Sequence, residues 1–239
     1  MRRYKLVLNG DIPEKQNTRI LITGFPGFGT VGYITTKYMI EKLKMKRIGY
    51  IFTPLLPDFT SFEEYGLSLP HEVFIDHDAR IVVLLNRINP QKSHINSYVS
   101  SVLKLIKVLA IDNVFLIGGL DARFREGPEE YRWLRNSYSN IELEAPLFMR
   151  GPLIVGPLAS LLIALELEKI PTIAIFPYTE PDTVNHKAAA IALKVIQKIT
   201  NIEIDLSELL SYAEYVEQME EALKQLSTQE GRRESMMYM

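Results

Sequence analysis

The chain has 239 residues, of which 47% are hydrophobic and 23% charged, and a formal net charge of -2. That is enough apolar material for the core of one α/β domain, with no charge excess to draw the chain to nucleic acid or an anionic membrane. The absence of cysteine excludes disulfides, thiol nucleophiles and zinc-thiolate sites.

The opening residues, MRRYKLVLNG, turn polar too early for a signal peptide. The longest uncharged stretch, 151–165, is interrupted by Pro152 and Pro157 and is too short for a membrane span. A cytoplasmic location is the expectation. Residues 4–8 read as a short strand closed by Asn9-Gly10, a dipeptide suited to a tight turn with positive φ. Residues 20–23 form an apolar run of strand length, as a strand covered on both faces requires. Glycines follow at 24, 27, 29 and 32, and then a helical stripe over 30–43 with apolar residues at 31, 34, 38, 39 and 43. Residues 48–52 form the next strand.

Residues 55–70, rich in proline, aromatic and acidic side chains, have no clear period and read as a long ordered loop. Residues 71–75 and 80–85 flank Asp76-His77-Asp78-Ala79 as an antiparallel hairpin. Asn89-Pro90 starts a helix whose apolar face includes Ile95, Val99, Val102, Leu103, Ile106 and Leu109, and a strand over 114–117 runs into Gly118-Gly119. Residues 120–150 carry five of the chain's arginines, among them Arg123, Arg125, Arg132 and Arg135, and its single tryptophan, Trp133, but no clear pattern. A helix over 158–167, a strand over 172–176 and a helix through 199, with Asp182 and Thr183 as offered N-caps, complete an alternation that argues for a mostly parallel sheet flanked by helices. The last helix differs: Leu206, Leu209, Leu210, Ala213, Val216, Met219, Leu223 and Leu226 repeat near the heptad period, suited to covering the domain or pairing with another copy. Residues 227–235 are polar and have nothing to bury, so disorder is expected. The organisation is therefore a core over 1–204, a helix over 205–227 and a flexible tail over 228–239.

Gly27, Gly29 and Gly32 have the G-x-G-x-x-G spacing of a dinucleotide-binding turn. The acidic residue that should hold the ribose is missing, since the first acid after Lys46 is Asp58. Pro26 removes a backbone donor, and Phe25 and Phe28 crowd the place of a phosphate. Gly24 and Gly29 have P-loop spacing, but Thr30-Val31 stands where Lys-Ser/Thr is needed. Gly24, Gly27, Gly29 and Gly32 are therefore read as a structural strand-to-helix turn. Gly118, Gly119, Asp121 and Arg123 follow a strand end, where α/β sheets often bind ligands, and keep open a pocket for a nucleoside or phosphate-bearing ligand. Asp76, His77 and Asp78 read as a polar turn rather than a metal site, and His94 and His186 as structural. No cofactor, metal or catalytic residue is expected.

The free C-terminus, Met237-Tyr238-Met239, is a hydrophobic residue, a tyrosine and a final residue, and it resembles the tails by which activators and assembly factors dock between proteasome α subunits. RILITGFPGFGTVG, LPHEVF, LLNRINP, IGGLDARF and PTIAIFPYTEPDTVNHKAAAIAL, in this order with the closing acidic helix, resemble the proteasome assembly chaperone family in its archaeal form. The resemblance covers about 20–226. It implies a phosphorylase-like three-layer fold without catalysis, self-association into a small ring or bundle, and tails that bind the α ring.

Overall fold

The computed structural model describes residues 3–15, 17–216 and 218–219. Contacts divide the chain into two units, Met1–Ile204 and Asp205–Met239. In the first unit the strands are β1 (Lys5–Leu8), β2 (Ile20–Gly24), β3 (Lys46–Phe52), β4 (Phe62–Glu63), β5 (Gly66–Leu67), β6 (His71–Ile75), β7 (Ile81–Asn86), β8 (Asn113–Ile117), β9 (Leu120–Asp121), β10 (Tyr131–Arg135) and β11 (Thr172–Thr179). Its α-helices are α1 (Val31–Lys42), α2 (Ile95–Val108), α3 (Gly156–Leu167) and α4 (His186–Thr200).

One nine-stranded sheet runs in the order β1, β3, β6, β7, β2, β8, β11, β10, with β9 also pairing on β11. β7, β2, β8 and β11 pair in parallel at its centre. Through the antiparallel pairs β3 points the same way, as does β9, while β1, β6 and β10 run against them. A parallel centre needs cover on both faces, which explains why every residue of β7 and β11 is buried. Pro177 has no N–H to give, and it falls between the last β8 pair, Ile175 with Ile117, and the first β9 pair, Tyr178 with Leu120.

Alternate residues take opposite faces. Leu21, Val73, Val82, Leu84, Leu116 and Phe176 pack in one core cluster with α2 and α3, which touch each other. Ile22, Phe74, Val83, Phe115 and Ile175 point the other way, where α1 and α4 pack together. The result is a three-layer α/β sandwich, the fold class that the sequence implies.

Several local expectations are corrected. Neither Asn9 nor Gly10 takes a positive φ. Both N–H groups donate to the Ile48 carbonyl, so the dipeptide extends the β1–β3 ladder instead of closing a hairpin. Residues 92–94 form a 3-10 turn before α2, which delays that helix relative to Asn89-Pro90. The loop over 55–70 contains the small β4–β5 hairpin. Neither Asp182 nor Thr183 caps α4; Asn185 does, its side chain accepting from Ala188 N at 2.8 Å, because Asn185 N is itself held by the Gly29 carbonyl at 2.9 Å. In the patternless stretch, β10 joins the sheet edge, with Trp133 buried and its indole N–H on the Ala145 carbonyl at 2.7 Å.

The second unit contains a helix over 207–216 that continues at 218–219. The rest of the expected heptad stripe, from Leu223 onward, lies outside the described residues.

Candidate functional site

β2, β7, β8 and β11 all end at one rim of the sheet, and the glycine-rich turn sits there. A short 3-10 turn, Phe28–Thr30, joins β2 to α1. Gly24 and Gly32 are packed backbone to backbone: a Cβ on Gly32 would stand 2.6 Å from both the Ile117 carbonyl and Phe25 N. Gly29 has φ 61°, and its missing side chain leaves the place that the Thr179 side chain occupies. Thr30 is also left-handed, with φ 55°. Gly27, by contrast, has open space around it.

The donors that would cradle a phosphate are occupied within the fold. Gly27 N donates to Phe25 O at 2.8 Å, Gly29 N to Pro181 O at 3.3 Å and Thr30 N to Gly27 O at 2.9 Å. The N–H groups of an anion-binding turn must point outward and unpaired; these three do not.

A buried polar cluster braces the turn from beneath. Asn86 Nδ2 donates to the Gly24 carbonyl at 2.9 Å and to Thr23 Oγ1 at 3.0 Å. The Gly24 carbonyl can only accept, which fixes the amide orientation and leaves Asn86 Oδ1 to accept from Tyr98 OH at 2.6 Å and from His71 Nδ1 at 2.9 Å. His71 is therefore the neutral Nδ1–H tautomer. Its Nε2 is buried with no hydrogen-bond partner among the described residues, and burial holds its pKa at about 4. The rings of Tyr4 and Tyr98 pack around it.

On the opposite sheet face Glu72, wholly buried, accepts from Arg47 at 2.8 Å and from Arg87 Nε at 3.2 Å. Tyr65 OH donates to Glu72 at 3.2 Å and accepts from Arg87 at 2.6 Å, while Glu63 pairs with Arg87 at 3.2 Å. The cluster ties the β4–β5 hairpin to β3, β6 and the end of β7. Nothing in the local sequence signals it, because its members come from three separate segments.

Gly118 and Gly119 line a cavity of about 240 Å³ at the rim, on the α2/α3 face. Its walls are mostly apolar: Phe25, Phe28, Phe124, Phe148 and Phe176, with the irregular segment 152–155 also lining it. Asp121 and Arg123, expected beside these glycines, are not among its lining residues. They bond each other, Arg123 Nε to Asp121 Oδ1 at 3.0 Å and Nη2 to Oδ2 at 2.5 Å. The guanidinium holds the Asp121 carboxyl below its usual range. The aromatic positions were not legible as one site, being scattered from 25 to 176. Asp76 accepts from the N–H groups of Arg80 and Ile81 in a polar turn. Among the described residues, no cluster of three His, Asp or Glu is placed to hold a metal, and no helix is long and apolar enough to cross a membrane. Met237, Tyr238 and Met239 lie outside the described residues.

Comparison with known proteins bears on the fold and the family. The Pyrococcus furiosus protein PbaA, described as an archaeal homolog of proteasome-assembly chaperone, is similar at TM-score 0.79 and 22% identity, with all of both chains covered. P. furiosus PbaB, described as an archaeal proteasome activator, matches at TM-score 0.74 and 20% identity over 94% of this chain and 100% of its own. A Mycobacterium tuberculosis proteasome-assembly chaperone homologue matches at TM-score 0.66 and 16% identity over 84% of this chain and 93% of its own. At these identities the likeness is one of fold. No curated protein matches the sequence. The model of the PAC2 family matches residues 21–226, nearly the whole chain, and the protein belongs to the PAC2 family.

Proposed function

We propose that this protein is a non-enzymatic proteasome assembly chaperone or activator that self-associates and docks Met237, Tyr238 and Met239 into pockets of the proteasome α ring. The observation that carries the reading is the PAC2 family match over 21–226, in a sequence that ends in a hydrophobic residue, a tyrosine and Met239. Structural relatives described as a proteasome-assembly chaperone homolog and a proteasome activator support it. Chemically, the α-carboxylate pairs with a pocket lysine, the tyrosine ring packs while its hydroxyl hydrogen-bonds, and Met237 fills a groove. One tail binds weakly, and several tails on one assembly raise the apparent affinity through effective concentration. A cytoplasmic location follows from such a partner.

The competing reading, a nucleoside or phosphate site at the glycine turn, has little support. The turn's donors are bonded internally, the neighbouring cavity is apolar, and Asp121 and Arg123 satisfy each other. The glycine turn is accordingly proposed as structural. The test is co-purification with proteasome α subunits. Wild type retains them, while chains lacking 237–239, or carrying Tyr238→Ala, lose them with the fold intact; retention by the truncated chain sinks the proposal.

A further inference from the structure

Five apolar side chains of the 55–67 segment, Leu55, Leu56, Phe59, Phe62 and Leu67, are each more than half exposed. Phe62 and Leu67 lie directly opposite each other in the β4–β5 hairpin and so share one face. Phe62 is 83% exposed. Within this one segment the five expose on the order of 600 Å² of surface in sum, against roughly 800 Å² per partner in a stable interface.

The hairpin is held stiffly. Its inner face carries Glu63 and Tyr65 into the Arg87–Glu72 cluster, Arg47 donates to the Leu67 carbonyl at 2.9 Å, and Ser68 N closes the base on Ser61 O at 2.9 Å. A projecting ring that is already ordered loses little entropy when it is covered. The hairpin's inner face packs on the α1/α4 side, where Tyr65 meets Phe74 at 5.1 Å between ring centroids.

The aromatic cavity opens on the other face of the sheet. Its rim residues, Leu153 and Val155, are also exposed. At about 240 Å³ it exceeds a cavity of about 150 Å³ that is known to take benzene, and its apolar, aromatic lining suits a phenyl ring.

The geometry points to a contact between two copies of this chain in which Phe62 of one copy seats in the aromatic cavity of the next. This deepens, and rests on, the self-association reading. Because the projecting hairpin and the cavity lie on opposite faces of the sheet, the contact is one-way. Each added copy leaves a free hairpin at one end and a free cavity at the other, the head-to-tail arrangement that closes into a ring when the rotation permits.

Sedimentation velocity on the full chain tests this with two variants at exposed positions, Phe62→Glu and Val155→Glu, each checked for an unchanged thermal melt. Wild type sediments as an oligomer, and each variant alone at the protomer mass of 27.4 kDa. Mixed one to one, the two variants form a dimer at twice that mass and nothing larger, since the intact hairpin of one meets the intact cavity of the other. A two-fold contact between identical patches gives no such rescue. A wild type that is itself monomeric overturns the self-association reading and this contact with it. If wild type is oligomeric but Phe62→Glu keeps its mass, or the mixture stays monomeric, self-association stands and the Phe62 contact is wrong.

Discussion

The buried imidazole of His71 makes stability depend on acid in a way that one substitution isolates. The folded protein holds this side chain neutral, with a pKa of about 4 against 6.5 for the ordinary group, chiefly through burial. The unfolded chain therefore binds more protons than the folded one between those values, and stability must fall as pH falls. The contribution is intact above pH 6.5, declines below it and is fully lost near pH 4, a total of about 3 kcal/mol, of which nearly 2 kcal/mol disappears between pH 7 and pH 5. The groups packed on the ring are Asn86, Tyr4 and Tyr98, while Glu72 next in the strand points to the opposite face. Urea unfolding at pH 7 and pH 5 on wild type and His71→Phe gives the number directly. Carboxylates shared by both proteins cancel in the difference. Wild type should lose roughly 2 kcal/mol more than His71→Phe over this interval; equal losses in both proteins refute the account of the buried neutral ring.

The remaining predictions concern the glycine turn, the charged cluster and ligands. Gly32→Ala places a Cβ against backbone atoms of Ile117 and Phe25, so it should cost about 3 kcal/mol or more in urea unfolding. Gly27→Ala meets nothing within 4 Å and should stay within about 0.5 kcal/mol; similar losses at both positions contradict the packing. Arg87→Met strips the buried Glu72 of one of its two cationic partners and should cost about 3 kcal/mol, with the double variant Glu72→Gln, Arg87→Met closer to wild type than the single one. Nucleotides and nucleosides should leave the thermal melt unmoved. A ligand at 100 times its dissociation constant adds about 2.7 kcal/mol, so a clear upward shift restores the ligand reading of the glycine turn.

What the sequence discloses follows from where its information lies. β2, β7, β8 and β11 are legible because a strand buried on both faces must be apolar throughout. α2 and α4 are legible because one face of each repeats at helical spacing. β10 is hidden because YRWLR carries two arginines, and Arg132 is tolerated near the core through Tyr178 at 2.9 Å, Glu129 at 2.9 Å, Glu126 at 3.0 Å and the Leu147 carbonyl at 3.2 Å. Tyr178 lies 46 residues away. The start of α4 escaped for a similar reason: a tertiary bond from Asn185 N to Gly29, not the better-looking caps at 182 and 183, sets it. The glycine turn could be read as a turn, but its contact with Thr179 and Ile117 could not. The aromatic cavity is assembled from residues that share no spacing.

The central claim is that the chain acts on the proteasome through its last three residues. Affinity for an isolated proteasome α ring, compared between wild type and a chain extended by a few residues beyond Met239, tests it most directly. The extension keeps every native side chain and removes only the free carboxylate at Met239. Near-complete loss of binding is the predicted result, and an undiminished affinity contradicts the account.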